Sequence, residues 1–177
     1  GNETLLDRNI KHVITNGFDE IIINVSHHGD KIKEHLIENY KDHKITLVEE
    51  PHPYGTGGAL INAKDHLGDE TILIINADIF HDFDLSKLNR ETEYIHLVGI
   101  ENPGHNKDGD FNIGPDGKVF CDDINKLTWS GISLLNTDIL SKIDNNNFPF
   151  DSWSRIVLPK IKEEKVTGEI YSDIWLD

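Results

Sequence analysis

The chain has 177 residues and a formal net charge of −15, from 32 acidic and 17 basic side chains. A surface this acidic repels the phosphate backbone of nucleic acids, which argues against a nucleic-acid partner. The single cysteine excludes an internal disulfide, and no apolar run approaches the roughly 18 residues that a transmembrane helix needs, so we expect a cytoplasmic protein without a membrane partner.

The first half of the chain alternates predicted helices with predicted strands. Apolar residues at helical spacing predict a helix over 4–16, and Gly17 is well placed to end it. A β-branched run over 20–25 predicts a strand that is buried on both faces. There follow, in chain order, a helix from residue 29, a strand over 45–48, a helix over 59–66, a strand over 71–76 and a short helical stretch over 85–88. This order is typical of βαβ units, and it predicts an open, mostly parallel sheet with helices on both faces.

The second half is predicted to contain more strands and more irregular segments. The predicted elements are strands over 94–100, 127–135 and 166–171, helices over 137–143 and 152–164, and a loop or hairpin region over 102–117. We expect Asp151 or Ser152 to cap the helix over 152–164, and Pro159 to bend or break it. No repeat or linker divides the chain, so we predict one domain over residues 1–177.

A glycine-rich segment follows the second predicted strand. In an open α/β sheet, ligands bind beyond the carboxyl ends of the strands, so the loops after strands are candidate sites. Residues 50–59 are rich in glycine and proline and lead into a predicted helix. Glycines let the backbone approach a flat base or a phosphate closely. A plain tight turn remains the alternative for this segment taken alone.

Two other strand ends carry carboxylates. Asn76-Ala77-Asp78 ends the strand over 71–76, and Trp175-Leu176-Asp177 follows the last predicted strand. Mg²⁺ prefers oxygen ligands and usually takes only one or two from the protein, so Asp78 and Asp177 could share one ion. A turn cap and an acidic terminus are the respective alternatives. The ten histidines show no spacing typical of a zinc site.

Taken in order, these segments resemble the sugar-1-phosphate nucleotidyltransferases. Within that family they resemble the N-acetylmuramate-1-phosphate uridylyltransferase branch and its mannose-1-phosphate guanylyltransferase-like relatives. The matching stretches are Gly57-Gly58, Asn76-Ala77-Asp78, Asn102-Pro103-Gly104-His105 with Gly109-Asp110-Phe111, Ser130-Gly131-Ile132-Ser133 and Trp175-Leu176-Asp177. The resemblance covers essentially all of the chain, and it implies a Rossmann-like, doubly wound, mostly parallel sheet in three α/β/α layers.

The resemblance also implies roles for individual residues. Asp78 and Asp177 would be the catalytic carboxylates and would hold the cofactor, Mg²⁺. The residues implied to bind the nucleotide are Glu50, Thr56, Gly57, Gly58 and Asn76, and those implied to face the sugar are Asp110, Ser130 and Gly131. The implied reaction joins a sugar-1-phosphate to a nucleoside triphosphate, with UTP favoured, and releases pyrophosphate.

The sequence departs from the family pattern at both ends. The family's opening strand, glycine-rich phosphate loop and Pro-Lys-Pro segment have no counterpart, and the chain stops before the Gly-Thr of the last motif. We therefore expect a domain that is incomplete at both ends and inactive or badly impaired as it stands.

Several functions stay open. The favoured one is UDP-N-acetylmuramate synthesis in peptidoglycan recycling. The alternatives are a GDP-mannose-type guanylyltransferase and an inactive nucleotide-sugar-binding or regulatory domain. A metal-dependent glycosyltransferase would need an Asp-x-Asp pair at the strand end, and the spacing of Asp78 and Asp82 does not provide one.

Overall fold

Two helices and two strands form the first structural unit along the chain. The computed structural model describes residues 3–143 and 148–177, and it begins with α1 (Leu5–Thr15), β1 (Glu20–Val25), α2 (Gly29–Asn39) and β2 (Lys44–Glu49). β1 and β2 are parallel and paired along their full length, from Glu20 opposite Lys44 to Val25 opposite Glu49. The sequence predicted all four elements, and β1 has the predicted bounds.

The ends of α1 follow from local hydrogen bonds. The Thr4 hydroxyl accepts a hydrogen bond from the Asp7 backbone N–H at 3.1 Å, and the Asp7 carboxylate accepts one from the Thr4 backbone N–H at 3.0 Å. This reciprocal pair is a capping box, which satisfies N–H groups that the first turn leaves without partners. Gly17 follows the helix with a φ of +78°, a conformation that favours glycine, as predicted.

A four-stranded sheet forms the centre of the fold. Its order is β3 (Thr71–Ile75), β8 (Leu127–Asn136), β5 (Ile95–Glu101) and β9 (Val166–Ile170). β8 is antiparallel to both of its neighbours, whereas β5 and β9 are parallel. β3, β5 and β9 therefore run in one direction. Together with the parallel pair β1–β2, this confirms the predicted mostly parallel α/β class.

Each face of the central sheet is covered by a separate apolar cluster. Leu97 of β5 belongs to a cluster with residues of α3 (Gly55–Ala63) and α4 (Leu158–Lys162), while its neighbour Val98 belongs to a cluster with Leu85 and Val13. Alternate side chains of a strand point to opposite faces, so this division follows from the sheet itself. The result is a layered arrangement with helical segments on both sides of the sheet.

Four shorter strands complete the fold. β4 (Phe80–His81) pairs with β10 (Trp175–Leu176), and β6 (Asn112–Ile113) pairs with β7 (Val119–Phe120), both antiparallel. The β6–β7 hairpin begins inside the predicted loop or hairpin region. Pairing of residues 175–176 was not predicted, because two residues carry no periodic signal. Among the described residues, no helix combines the length and the apolar character needed to cross a membrane.

The helical segments differ in detail from the predicted ones. α3 begins at Gly55, four residues earlier than predicted, and 3-10 turns occupy Lys64–His66, Leu85–Lys87 and Thr137–Lys142. The predicted helix over 152–164 is a π-helical turn, Trp153–Val157, that leads into α4. Asp151 caps it by accepting a hydrogen bond from the Ser154 backbone N–H at 2.7 Å. Pro159 does not break the helix, because it lies in the first turn of α4.

Candidate functional site

Asn76 and Gly131 meet where β3 ends. The Asn76 backbone N–H donates a hydrogen bond to the Gly131 carbonyl at 2.9 Å. Gly131 has a φ of +81°, and a Cβ there would lie 2.9 Å from Cγ of Asn76. Glycine is therefore required at position 131 for both conformation and space. The structure thus brings together two residues that the sequence assigned to different substrates.

A short strand pair brings together the chain segments that carry Asp78 and Asp177. Asp78 is exposed in the turn that leads into β4. β4 pairs with β10 so that His81 lies opposite Trp175 and Phe80 opposite Leu176. If this antiparallel register continues by one residue, Asp177 lies opposite Ile79, the residue next to Asp78. The backbone at Asp177 then lies beside the turn that carries Asp78, 99 positions earlier in the chain.

Trp175 and His105 connect two further segments to this edge. The Trp175 indole N–H donates a hydrogen bond to the Ser130 carbonyl at 2.9 Å. His105 Nε2 lies 3.6 Å from a carboxylate oxygen of Asp177. Residues from four of the five stretches that carry the family resemblance therefore converge on one place.

The side chain of Ser130 does not face this site. Its hydroxyl is fully buried, donates to the Val98 carbonyl at 2.7 Å and accepts from the Ile132 backbone N–H at 3.2 Å. Both hydrogen bonds of this side chain lie inside the sheet, and a role of Ser130 in binding a sugar stays a prediction. Ser130 contributes to the site through its carbonyl, which holds Trp175.

Asp110 fastens the loop over 102–110 to the sheet. One carboxylate oxygen accepts from the Trp129 backbone N–H at 2.8 Å, and the other accepts from the Asn106 amide at 3.0 Å. The same Asn106 amide reaches the Thr128 hydroxyl at 3.2 Å. Asp110 is thus tied to the loop that carries His105, and a role in binding a sugar stays a prediction.

The glycine-rich segment forms the first turn of α3 rather than an open loop. The backbone N–H groups of Gly57 and Gly58 both donate to the Phe150 carbonyl, at 3.1 and 3.3 Å. A Cβ on Gly57 would lie 2.4 Å from the Phe150 ring, and one on Gly58 would lie 2.8 Å from the Phe148 ring. These glycines are required by the segment packed against them, and their amide groups are already bonded within the protein.

Thr56 and Glu50 hold the two ends of this segment. The Thr56 hydroxyl accepts from the Ser152 backbone N–H at 2.9 Å. The Glu50 carboxylate accepts from the Asn24 amide at 3.1 Å and from the Tyr54 backbone N–H at 2.9 Å, and Glu50 is 8% exposed. Glu50 therefore joins the end of β1 to the start of α3, and its reading of a base is a prediction that these contacts do not test.

α1 supports the turn that carries Asp78. The Asn9 amide nitrogen lies 3.3 Å from the Ala77 carbonyl oxygen and 3.2 Å from that of Ile79. Asn9 was not singled out from the sequence. Its spacing offered a signal, because it falls three residues after Leu6 and four before Val13, so a polar side chain interrupts the apolar stripe of the helix.

A buried histidine lies beneath the same segment. His81 is 2% exposed, and its ring centre lies 5.0 Å from that of His12 in an edge-to-face arrangement. Within residues 3–143 and 148–177, neither ring nitrogen of His81 has a hydrogen-bond partner. Burial, together with the nearby His12 and Arg8, lowers the pKa of His81 to about 4. The imidazole is therefore neutral at pH 7.

Comparison with known proteins identifies the family. Residues 1–96, more than half of the chain, match the family model described as nucleotidyl transferase. The chain belongs to the nucleotidyl transferase family. It is 28% identical over 172 residues to the N-acetylmuramate alpha-1-phosphate uridylyltransferase of Neisseria meningitidis serogroup B, with 91% of this chain and 73% of that protein covered.

Other relatives of this nucleotidyl transferase carry different names. The D-glycero-alpha-D-manno-heptose 1-phosphate guanylyltransferase of Campylobacter jejuni is 29% identical over 169 residues, with 91% of this chain and 74% of that protein covered. A putative glucose-1-phosphate thymidylyltransferase from Bacillus anthracis superposes with a TM-score of 0.79 at 16% identity, over 98% of this chain and 76% of that one. This likeness shows that the fold is the one found in nucleotidyltransferases.

The donor set of this nucleotidyl transferase fits Mg²⁺. No group of three or more His, Cys, Asp or Glu side chains is arranged around a possible metal position in the part of the chain that the structure describes. Asp78 is exposed, and the Asp177 side chain is 44% exposed, so both offer carboxylate oxygens to solvent. Mg²⁺ is commonly held by one or two protein carboxylates, with water and substrate phosphates completing its coordination.

Proposed function

We propose that this nucleotidyl transferase joins a sugar-1-phosphate to a nucleoside triphosphate and releases pyrophosphate. The observation that carries the proposal is the pairing of β4 with β10, which brings the chain segment ending in Asp177 beside the segment that follows Asp78. Membership of the family and similarity to enzymes named for this chemistry support it.

The reaction is an in-line attack of a sugar-phosphate oxygen on the α-phosphorus of the triphosphate. Asp78 and Asp177 would bind Mg²⁺. The bound ion would supply charge neutralisation at the phosphate oxygens. A protein with a net charge of −15 repels a free triphosphate. The two carboxylates would therefore favour a triphosphate that carries a bound Mg²⁺ ion. The remaining contribution of the chain is positioning.

We propose UTP as the nucleotide in preference to GTP. Recognition of guanine requires acceptors for its ring N–H and its amino group. Glu50 is the buried carboxylate next to α3, and each of its oxygens already accepts a hydrogen bond from the protein. Glu50 is also only 8% exposed, so it offers little accessible surface to a base, and the support for UTP is the resemblance of residues 102–111 to the uridylyltransferase branch.

We propose N-acetylmuramate-1-phosphate as the sugar substrate, in peptidoglycan recycling in the cytoplasm. The support is the resemblance of residues 102–111 to the uridylyltransferase branch and the 28% identity to a uridylyltransferase. The contact of His105 with Asp177 brings this loop next to the proposed metal site. A guanylyltransferase is the second candidate, because a heptose-1-phosphate guanylyltransferase is equally similar at 29% identity.

The test uses the full-length gene product with Mg²⁺ and two substrate pairs in parallel. One is UTP with N-acetylmuramate-1-phosphate, and the other is GTP with mannose-1-phosphate. Pyrophosphate release is followed, and the nucleotide-sugar is identified by mass. A UDP-sugar supports the proposal as stated, and a GDP-sugar replaces the substrates but keeps the reaction. If folded protein forms no product from these or other base and sugar pairs, the chain is a binding or regulatory domain.

Asp78→Asn provides the test of the metal site. We expect turnover to fall by at least about tenfold, about 1.4 kcal/mol of activation free energy, because the amide keeps the shape of the side chain but removes the charge that binds Mg²⁺. Asp82→Asn is the matched control, since Asp82 is an exposed carboxylate four residues away that pairs with Arg8. Equal turnover of the two variants would remove Asp78 from the site.

A further inference from the structure

Asn9 holds the backbone on both sides of Asp78. Its amide nitrogen lies 3.3 Å from the Ala77 carbonyl oxygen and 3.2 Å from the Ile79 carbonyl oxygen. A carboxamide nitrogen has two hydrogens, so one N–H is available for each carbonyl. The amide oxygen cannot replace the nitrogen here, because two carbonyl oxygens offer it no donor. Asn9 is 8% exposed, so water competes little for these bonds.

We propose that Asn9 is a positioning residue for Asp78, and the proposal rests on the function proposed above. The Asp78 side chain is exposed, so its direction depends on the backbone that carries it. The Asn9 hydrogen bonds fix the peptide groups before and after that residue. They thereby fix the backbone that carries the Asp78 carboxylate. A metal site with few protein ligands is sensitive to such supporting contacts.

Other residues of α1 contact the chain farther from Asp78. Arg8 donates to the His81 carbonyl at 2.9 Å, and the His12 ring lies 2.8 Å from the Phe83 carbonyl oxygen. These contacts hold β4 and the segment after it. Ile10, the next residue after Asn9, instead packs with Leu36 in a separate apolar cluster. α1 therefore offers a buried neighbour whose truncation affects stability without touching the turn.

The experiment compares Asn9→Leu, Asn9→Ser and Ile10→Val in the full-length protein. Leu removes both donors and keeps a similar size, and Ser is a shorter side chain with one hydroxyl donor. Ile10→Val lowers stability through lost packing alone. Mn²⁺ affinity is measured by electron paramagnetic resonance, with and without UTP. The Mg²⁺ concentration for half-maximal turnover and the unfolding temperature are measured beside it.

We expect Asn9→Leu to weaken Mn²⁺ binding by about tenfold, the lower end of the range for outer-shell contacts. The Mg²⁺ requirement should rise in parallel, with a smaller change in turnover at saturating Mg²⁺. Asn9→Ser should lie between Asn9→Leu and the wild type, and Ile10→Val should keep wild-type values despite its lower unfolding temperature.

The positioning role would be overturned if folded Asn9→Leu or Asn9→Ser bound Mn²⁺ as tightly as the wild type. It would also be overturned if Ile10→Val weakened Mn²⁺ binding as much as the Asn9 variants do. A wild-type protein that does not bind Mn²⁺ would also overturn it. Failure of the proposed function looks different, because the wild type would then bind Mn²⁺ but form no nucleotide-sugar.

Discussion

At the scale of single residues, buried polar groups in this protein mostly hold backbone in place. Asn9 bonds two carbonyls, Ser130 bonds a neighbouring strand, and Glu50 joins a strand end to a helix start. Each is at most 8% exposed, and each lies next to a segment implicated in function. A motif can thus indicate the neighbourhood of a site without indicating which side chains face the ligand.

His81 is the exception, because it is buried without a partner among the described residues. Its pKa in the folded protein is about 4, against an ordinary value of about 6.5. Between pH 4 and pH 6.5 the unfolded chain therefore binds a proton at His81, whereas the folded protein does not. The stability contribution of neutral His81 is complete above pH 6.5, decreases as the pH falls and is lost by pH 4. Near pH 5 we expect a loss of about 2 kcal/mol.

His81→Phe isolates this effect. The ring stays apolar and similar in size but no longer titrates. The free energy of unfolding in urea is measured for both proteins at pH 8 and pH 5. Since other groups titrate in both proteins, only the difference between them reports on His81. The free energy of unfolding of the variant, relative to that of the wild type, should be higher at pH 5 than at pH 8. If the stability difference between variant and wild type is the same at the two pH values, His81 takes up a proton as readily in the folded protein as in the unfolded chain.

At the scale of elements, α1 and α2 are joined through one carboxylate. Asp7 accepts hydrogen bonds from Thr4, from His35 at 2.7 Å and from the Tyr40 hydroxyl at 2.8 Å. Burial opposes ionisation of Asp7, but these hydrogen bonds outweigh it and lower its pKa. The cap of one helix is therefore also the contact that fixes the next.

We expect Asp7→Ala to lower the free energy of unfolding by about 2–4 kcal/mol, because it removes the cap of α1 and leaves the buried Tyr40 hydroxyl and the half-buried His35 ring without their acceptor. Tyr40→Phe removes one of these bonds and keeps the ring, so it should cost about 1 kcal/mol. Urea denaturation at pH 7 measures both. If Asp7→Ala lowers the free energy of unfolding no more than Tyr40→Phe does, water has replaced the carboxylate as the hydrogen-bond acceptor.

The start of α3 provides a second test at this scale. Gly57→Ala gains about 1 kcal/mol of helix propensity but places a methyl group 2.4 Å from the Phe150 ring, so we expect a net loss of about 1–2 kcal/mol. Gly104→Ala is the control, because a Cβ there has no atom within 4 Å, and it should change stability by less than about 0.5 kcal/mol. Stabilisation by Gly57→Ala would show that the segment over 148–150 can move away.

The same element shows where sequence patterns stop being informative. The continuous β-branched runs predicted β1 and β3 to within one residue, because such residues favour strands, although both strands are only partly buried. Gly57 and Gly58 were predicted to lie before a helix and instead lie inside it, because their small size fits the aromatic rings of a distant segment. Such a contact joins positions about 90 residues apart, and no local pattern encodes it.

At the scale of the whole molecule, the candidate site exists only through long-range pairing. Asp78 and Asp177 were identified from strand ends, but the segments that carry them meet only because β4 pairs with β10. The carbonyl that anchors Trp175 belongs to Ser130 in β8, 45 positions earlier in the chain. The sequence therefore indicated candidate groups for the site, whereas the side chains that face it depend on how distant strands and loops pack.

The net charge of −15 gives the last prediction at this scale. Like charges repel in the folded protein, and salt screens that repulsion over a Debye length that shrinks from about 30 Å at 0.01 M to about 8 Å at 0.15 M. We therefore expect the free energy of unfolding in urea to rise between these NaCl concentrations, by on the order of 1 kcal/mol.

Two variants of one ion pair separate net charge from local pairing. Glu20 and Lys44 pair at the surface, with side chains 67% and 71% exposed, so the pair itself contributes little. Glu20→Gln reduces the net negative charge, and Lys44→Gln increases it, while both break the same pair. If overall repulsion dominates, Glu20→Gln is the more stable variant at low salt and shows the weaker salt dependence. If local pairing dominates, both variants lose the same stability, and the wild type becomes less stable as salt is added.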